Sequence, residues 1–314
     1  MAGIGIVSNP RAHRNRQHPE AAAHLERLLG EAGLLRRAET PEELAQALAE
    51  MRRAGVDLLA VNGGDGTLHR VVTAVEREWG SRPWPHLLPL RGGAMNTVAT
   101  CHGHRAAPEV ALERVLARRA ARQPLLAVER DLLRVSAEGS ERKLGFLFGT
   151  GIAVSFLEAW YATGHATAGR ALLLLLRTAL SAAVGGRFAA AMTRLEPLRV
   201  AADGDEWPAD AYLSVVAGAV PQIGFGFAPL GRCGEQPGFF HAVGVTGSAT
   251  HLALRMPAVY LGRPWRRPLA VDAVARSLLV EGREVRYTLD GDLFVAPGGL
   301  EVAAGPLAEV VLSG

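Results

Sequence analysis

The sequence predicts an α/β domain with a parallel sheet, followed by an antiparallel, β-sandwich-like domain with helical insertions. Three observations lead there. Residues 1–120 alternate strand-like and helical segments, as parallel sheets with helical crossovers do. From about Leu125 the texture changes to short β-like runs, many of them parted by Gly, Pro or Asp-Gly turns. Within the first part, Gly63-Gly64-Asp65-Gly66-Thr67 stands between an apolar run and an amphipathic helix. The expected boundaries are 1–124 and 125–314, with the last residues free to pack back on the first domain.

Each element has its own grounds. Ile4–Ser8 is apolar and of strand length. A helix is expected from about Pro19 to Ala32. A second, Pro41–Ala54, has Thr40 as N-cap, Pro41 at its first position and Glu43 three residues after the cap, a capping-box arrangement. Leu58–Asn62 reads as a buried strand. After the glycine run, Leu68, Val71, Val72 and Val75 recur at helical spacing, and another strand is expected around His86–Leu90. The β-like runs of the second part are Asp131–Ser136, Leu144–Phe148, Leu198–Ala202, Tyr212–Ala217 and Phe239–Val245. Ser277–Glu281, Val285–Leu289, Leu293–Ala296 and Val310–Leu312 follow. Helical insertions are expected at about Val154–Ala190 and Ala249–Leu261.

Composition bounds the function. With 49% hydrophobic and 21% charged residues in 314, the chain is globular and outside the disordered range. A net charge of +3 permits an acidic or anionic-membrane partner without demanding one. Lys143 is the only lysine, which excludes a lysine nucleophile elsewhere. Cys101 and Cys233 are too few for a disulfide framework or a zinc site, and fit a reducing, cytoplasmic setting. The N-terminus reads as a first strand, having no basic segment or long apolar core of a signal peptide. The longest apolar stretch, Ala171 to Val184, is interrupted by Arg177 and too short to span a bilayer. A cytoplasmic protein is expected, or one peripheral at the inner membrane face. Dispersed arginines without a recognition motif argue against a nucleic-acid partner. His69, His165 and His251 lack metal-ligand spacing and read as structural or surface groups.

The glycine run carries the first chemistry. A glycine-rich turn opening a helix offers free backbone N–H groups and the positive end of the helix dipole to an anion. Without Cβ atoms the chain can approach a phosphate closely. Asp-Gly is also a hairpin signal, but a hairpin needs alternation on its far side, which is helical here. There is no Walker lysine and no G-x-G-x-x-G spacing. A nucleotide-phosphate site, and so a kinase, is the expectation. A second loop, Pro89-Leu90-Arg91-Gly92-Gly93-Ala94-Met95-Asn96, again follows a strand and precedes a short helical segment.

Taken together, the two loops, about 25 residues apart, and Asn9-Pro10 after the first strand resemble the catalytic domain of the diacylglycerol kinase and sphingosine kinase family. The resemblance runs over nearly the whole chain. In the second part Asp131-Leu132, Gly149-Thr150-Gly151, Gly262-Arg263-Pro264 and Asp290-Gly291-Asp292 correspond to family positions. It implies a nucleotide-binding domain over 1–124, a lipid-substrate domain over 125–314, and ATP and Mg²⁺ as cofactors. Asn9, Gly63, Gly64, Asp65, Gly66, Thr67, Gly92, Gly93 and Asn96 would hold the nucleotide. Asp65 and Asp292 would serve the metal, and Asp290 would be general base, with Asp131 and Asp292 completing a Mg²⁺–water network. The acceptor would be a diacylglycerol-like or ceramide/sphingoid lipid at a membrane surface, with a homodimer conceivable.

Several residues depart from the family pattern. Ala94 stands where Thr is usual and Thr97 where Asp is common, and His69-Arg70 replaces Asn-Glu. The acidic pair tied to a structural metal in relatives is here Glu235-Gln236-Pro237-Gly238. Asp-Gly-Asp also occurs twice, at 203–205 and 290–292, both between β-like runs and both expected as hairpin turns. Two alternatives therefore stay open. One is a catalytically weakened lipid- or nucleotide-binding protein of the same fold. The other is an NAD kinase-like small-molecule kinase, against which the absence of any Asn-Glu pair counts.

Overall fold

The computed structural model describes residues 3–164 and 167–312; His165 lies outside them. Two compact units result, one of residues 1–130 with 307–314, the other of residues 131–306.

The first unit is a parallel sheet flanked by helices. Its elements are β1 (Ile4–Ser8), α1 (His13–Gln17), α2 (Ala21–Leu29), β2 (Gly33–Arg37), α3 (Pro41–Arg53), β3 (Leu58–Gly63) and α4 (Asp65–Trp79). β4 (His86–Arg91), α5 (Thr97–Cys101) and α6 (Pro108–Ala120) complete them. The sheet order is β2-β1-β3-β4, all parallel, with Ile4 opposite both Gly33 and Leu58, and Leu58 opposite His86. β1 and β3 are buried at every residue, as their unbroken apolar runs require in a sheet covered on both faces. Ile4, Ile6, Leu58, Leu88 and Leu90 pack with Leu25 of α2 and Leu112 of α6.

Thr40 caps α3 as expected: its hydroxyl accepts from the Glu43 amide, and the Glu43 carboxylate accepts from the Thr40 amide. The helix expected over 19–32 is shorter, because Gly30 at φ 50° ends α2 and a single 3₁₀ turn follows. β2 and α6 have no counterpart in the sequence reading. β2 buries only Leu35 of its five residues, so it carries little apolar periodicity.

The second unit is antiparallel. β5 (Ala127–Ala137) crosses the boundary, and β6 (Lys143–Gly145), β7 (Leu147–Thr150), α7 (Ile152–Tyr161), α8 (Ala168–Ala183) and α9 (Arg187–Met192) follow. Next come β8 (Glu196–Pro197), β9 (Arg199–Ala202), β10 (Asp205–Glu206), β11 (Ala211–Tyr212), β12 (Ser214–Gly218) and β13 (Phe240–Val245). The series ends with α10 (Ala249–Tyr260), β14 (Ala270–Ala275), β15 (Ser277–Leu289) and β16 (Asp292–Val311). The order β14-β13-β12-β7-β15-β16 is antiparallel throughout, and β9 pairs with the first half of β15. The C-terminal end of β16 returns to the first unit, where Val310 pairs parallel with Leu87 of β4.

Several expected runs change their bounds for identifiable reasons. Ser277–Glu281 and Val285–Leu289 are one strand, kinked by a bulge between Glu281 and Glu284. Leu293–Ala296 and Val310–Leu312 fall on or next to the single strand β16. The run Leu144–Phe148 is cut at Phe146, whose amide goes to the Asp290 carboxylate instead of a strand partner. The insertion over 154–190 is three helices, with left-handed glycines at Gly164 and Gly185 between them. Replacing Thr40 with Ala removes the α3 cap and is expected to lower stability by about 1 kcal/mol, read as a lower urea midpoint without loss of helical circular dichroism.

Candidate functional site

In the first unit the two glycine loops lie back to back. β3 ends in Gly63, and Gly64 begins α4 in an extended conformation with no side chain capping the helix. A Cβ on Gly93 would lie 2.3 Å from the Gly64 Cα, and one on Gly92 would meet the Gly63 amide nitrogen at 2.8 Å. Only glycine permits this approach, because the obstructing atoms are backbone and cannot turn away. The Gly92 amide donates to the Gly63 carbonyl at 3.0 Å, which joins the loops directly.

Asp65 is the second link. Its carboxylate accepts from the Thr97 amide and the Val98 amide, each at 2.9 Å. It therefore caps α5 from the first position of α4. Burial pushes its pKa up, opposed by those amide donors. The same carboxylate also draws on the amide of Asp65 itself, the first of α4. The amides of Gly66 and Thr67 have no carbonyl one turn back to reach, and a crevice at the start of the helix is lined by Gly63, Gly64, Asp65 and Asn96.

The other expected nucleotide residues are present but differently employed. Asn9 donates to the Thr67 hydroxyl at 2.9 Å and accepts from the Arg11 amide, so it braces Thr67. Asn96 sits at φ 52°, and its side-chain amide closes on Gly93 in both directions, at 2.8 and 2.9 Å. The amides of Gly92 and Gly93, expected to face phosphates, are both satisfied within the protein. These two glycines act through their lack of a side chain, not through donated hydrogen bonds.

A buried polar cluster behind the loops was not anticipated. The fully buried Asn62 donates to the Ser8 hydroxyl, and Asn15 donates to the carbonyls of Asn9 and Asn62. Arg14 belongs with it: its amide donates to the Gly92 carbonyl at 2.9 Å. The Arg14 Nε has no hydrogen-bond partner among the described residues. The available signal was the cluster of Arg and Asn after Asn9-Pro10, unusual beside so apolar a strand.

In the second unit Asp290 and Gly291 form the two-residue tip of the β15–β16 hairpin, at φ 48° and 92°. Asp290 is buried, and its carboxylate accepts from the Phe146 and Leu147 amides at 2.8 and 2.9 Å. The other Asp-Gly-Asp repeats this device. Asp203, at φ 49°, accepts from the Arg276 and Ser277 amides at 2.9 and 2.8 Å, but is exposed. Asp292 opens β16, and Asp131 accepts from the Gly238 amide at 3.0 Å.

The Glu235–Gly238 segment is held by ion pairs. Arg232 bridges Glu235 and Asp272, and Asp272 also meets the buried His241 at 3.2 Å. Burial lowers the His241 pKa, outweighing that carboxylate. Thr150 is buried and accepts from the Val215 amide, and Gly151 turns at φ 61° against the Leu213 carbonyl. Both are structural. His69 is buried in α4, and His251 meets Ser248 at the start of α10. No group of three or more His, Cys, Asp or Glu is placed to hold a metal among the described residues. Asp65, expected at the metal, accepts one α5 amide on each carboxylate oxygen.

Residues 4–128 match the diacylglycerol kinase catalytic domain. The resemblance expected from the two loops stands, and the first unit is kinase-like. Among solved structures, a diacylglycerol kinase from Bacillus anthracis is 14% identical with a TM-score of 0.65, over 99% of this chain and 96% of its own. A second protein of that organism, proposed to be a diacylglycerol kinase, is 16% identical with a TM-score of 0.68 over the same shares. At these identities the likeness establishes the fold of the whole chain. No curated protein matches the chain.

Two outcomes follow. Gly93→Ala sets a methyl against the Gly64 backbone, so the urea midpoint should fall while secondary structure persists. His102 at the end of α5 is pushed by burial from 6.5 to about 4, so the folded chain keeps it neutral where the unfolded chain protonates. Stability therefore falls as pH drops from about 6.5 towards 4, and His104, also lowered by burial, adds to the slope. His102→Asn should reduce the difference between urea midpoints at about pH 7 and about pH 5.

Proposed function

We propose that the chain is an ATP-dependent lipid kinase that phosphorylates a hydroxyl of a diacylglycerol-like or sphingoid lipid. The observation that carries the reading is the uncapped α4 N-terminus beside the fused glycine loops. The Gly66 and Thr67 amides and the helix dipole would bind nucleotide phosphates there. Arg14 is anchored to Gly92 through its backbone, and its guanidinium is paired with Glu109 at 3.4 Å, so it would reach phosphate only by sharing that charge. Phosphoryl transfer asks mainly for such positioning and charge stabilisation. A divalent ion would rest chiefly on the nucleotide's own phosphates, since no group of three or more His, Cys, Asp or Glu among the described residues is placed to hold one. Asp65 and Asp292 are the candidate protein ligands.

Asp290 would accept the proton of the attacking lipid hydroxyl. The two backbone amides engage one lone pair on each oxygen, and a carboxylate has about four, so acceptor capacity remains. Asp131 would act indirectly, by holding the segment around Gly238.

A specific observation favours the binding-protein alternative: Asp203 does the same backbone capping with no proposed chemistry. Comparing the two aspartates separates the readings. Phosphate transfer from labelled ATP to a panel of hydroxylated lipids in mixed micelles is measured for wild type, Asp290→Asn and Asp203→Asn. A catalytic base predicts a loss of about 10²–10⁴ in turnover for Asp290→Asn alone, read beside the urea midpoint of each variant. Turnover absent in wild type, with nucleotide bound, would leave the binding protein. Equal small losses in both variants would reduce Asp290 to a hairpin anchor.

A further inference from the structure

We propose that Tyr161 is a positioning residue: its hydroxyl fixes the tip of the β15–β16 hairpin and, through it, the aim of the Asp290 carboxylate. The inference rests on the kinase reading for its catalytic consequence, in which Asp290 is the base. The contact itself requires neither nucleotide nor acceptor.

The first observation is a difference between the two Asp-Gly hairpins. Asp203 and Asp290 share their backbone restraints. Each carboxylate accepts two amides, and each aspartate donates its own amide to a carbonyl, of Ser277 and Leu147 respectively. One contact is added at Asp290. From α7 the Tyr161 hydroxyl donates to the Gly291 carbonyl at 2.8 Å, and it would stand 3.4 Å from a Cβ on Gly291. Gly204 has no counterpart to it, since a Cβ there would meet nothing within 4 Å. The hairpin at Asp203 forms without such a contact, so an Asp-Gly turn does not need one in order to fold.

The second observation is how the tyrosine is held. Glu158, three residues earlier on α7, pairs with Arg286 of β15, and residues at that spacing share a helix face. α7 therefore meets the hairpin twice, at Arg286 within the strand and at Gly291 in the turn. The Tyr161 ring stacks on that of the buried Trp160, with centroids 5.3 Å apart. The Trp160 indole in turn donates to the Thr167 carbonyl at 3.0 Å, so the hydroxyl comes from a ring whose direction is set. Tyr161 is 41% exposed, and removing its hydroxyl opens no cavity in the core. A base must be held to within about 0.5 Å of its productive position. The Phe146 and Leu147 amides hold the Asp290 carboxylate, and Tyr161 holds the residue after it, so the tip is fixed at two points.

The test is Tyr161→Phe in the full chain, alone and combined with Asp290→Asn, with phosphate transfer from ATP to the lipid panel as the readout. Alone, Tyr161→Phe should lower kcat about tenfold while the KM for ATP and the urea midpoint stay close to wild type. In the Asp290→Asn background the same change should cost less than about twofold, because the group it positions has gone. An undiminished kcat, or the same loss in both backgrounds, would overturn the proposal. Amide hydrogen exchange without nucleotide supplies a readout independent of turnover. Residues 289–292 should exchange several times faster in Tyr161→Phe, with the turn at Asp203 and Gly204 unchanged as an internal control. Exchange at the tip that matches wild type would overturn the proposal whatever the turnover. Wild type that transfers phosphate to no lipid would refute the kinase reading, and exchange alone would then decide whether Tyr161 holds the tip.

Discussion

Asp65 commits both carboxylate oxygens to the backbone of α5 while standing in the first turn of α4, so one negative charge links two helix N-termini. That constraint shapes the rest of the first unit. It fixes the second glycine loop against the first, where Gly64 and Gly93 approach so closely that a methyl on either would collide with backbone. It also decides which helix end remains for an external anion. α5 is capped by the Asp65 carboxylate, and α4, with Gly64 at its cap, has no side-chain cap. A carboxylate beside a phosphate site is normally a repulsive feature. Here its charge is turned towards amide donors, which removes much of that objection.

The polar groups behind the loops serve the same geometry. Asn96 closes its own turn, Asn9 steadies Thr67, and Asn15 ties the carbonyls at the ends of β1 and β3. Buried amides with most of their hydrogen bonds satisfied give a loop a single conformation. Anion recognition by backbone N–H groups needs that rigidity, because the donors must be aimed before the ligand arrives.

The second unit uses aspartate differently. Asp203 and Asp290 occupy equivalent left-handed positions in Asp-Gly hairpins, and each accepts two amides from a neighbouring segment. Burial separates them, since Asp290 is enclosed and Asp203 is open to water. The Glu235 segment shows a comparable economy of means. Arg232 gives Glu235 and Asp272 a shared cation on the protein itself, where an acidic pair would have needed an external one.

The sequence by itself determined the parallel and antiparallel halves, the α3 cap, both glycine loops and the two Asp-Gly hairpins. Each of these is local: a capping box, a turn dipeptide or a helical period is complete within a few residues. Only the tertiary structure decided that Gly92 and Gly93 serve by close approach instead of donation, and that the Asp65 carboxylate faces α5. It alone joined the two halves of β15 across a bulge and turned the leucines of α8 outward. Those outcomes depend on partners distant in the chain, such as Thr97 for Asp65, Phe146 for Asp290 and Thr250 for Ala182. Local periodicity can mark a helix face as apolar, but whether that face meets a core or open surface is set by what the fold brings against it.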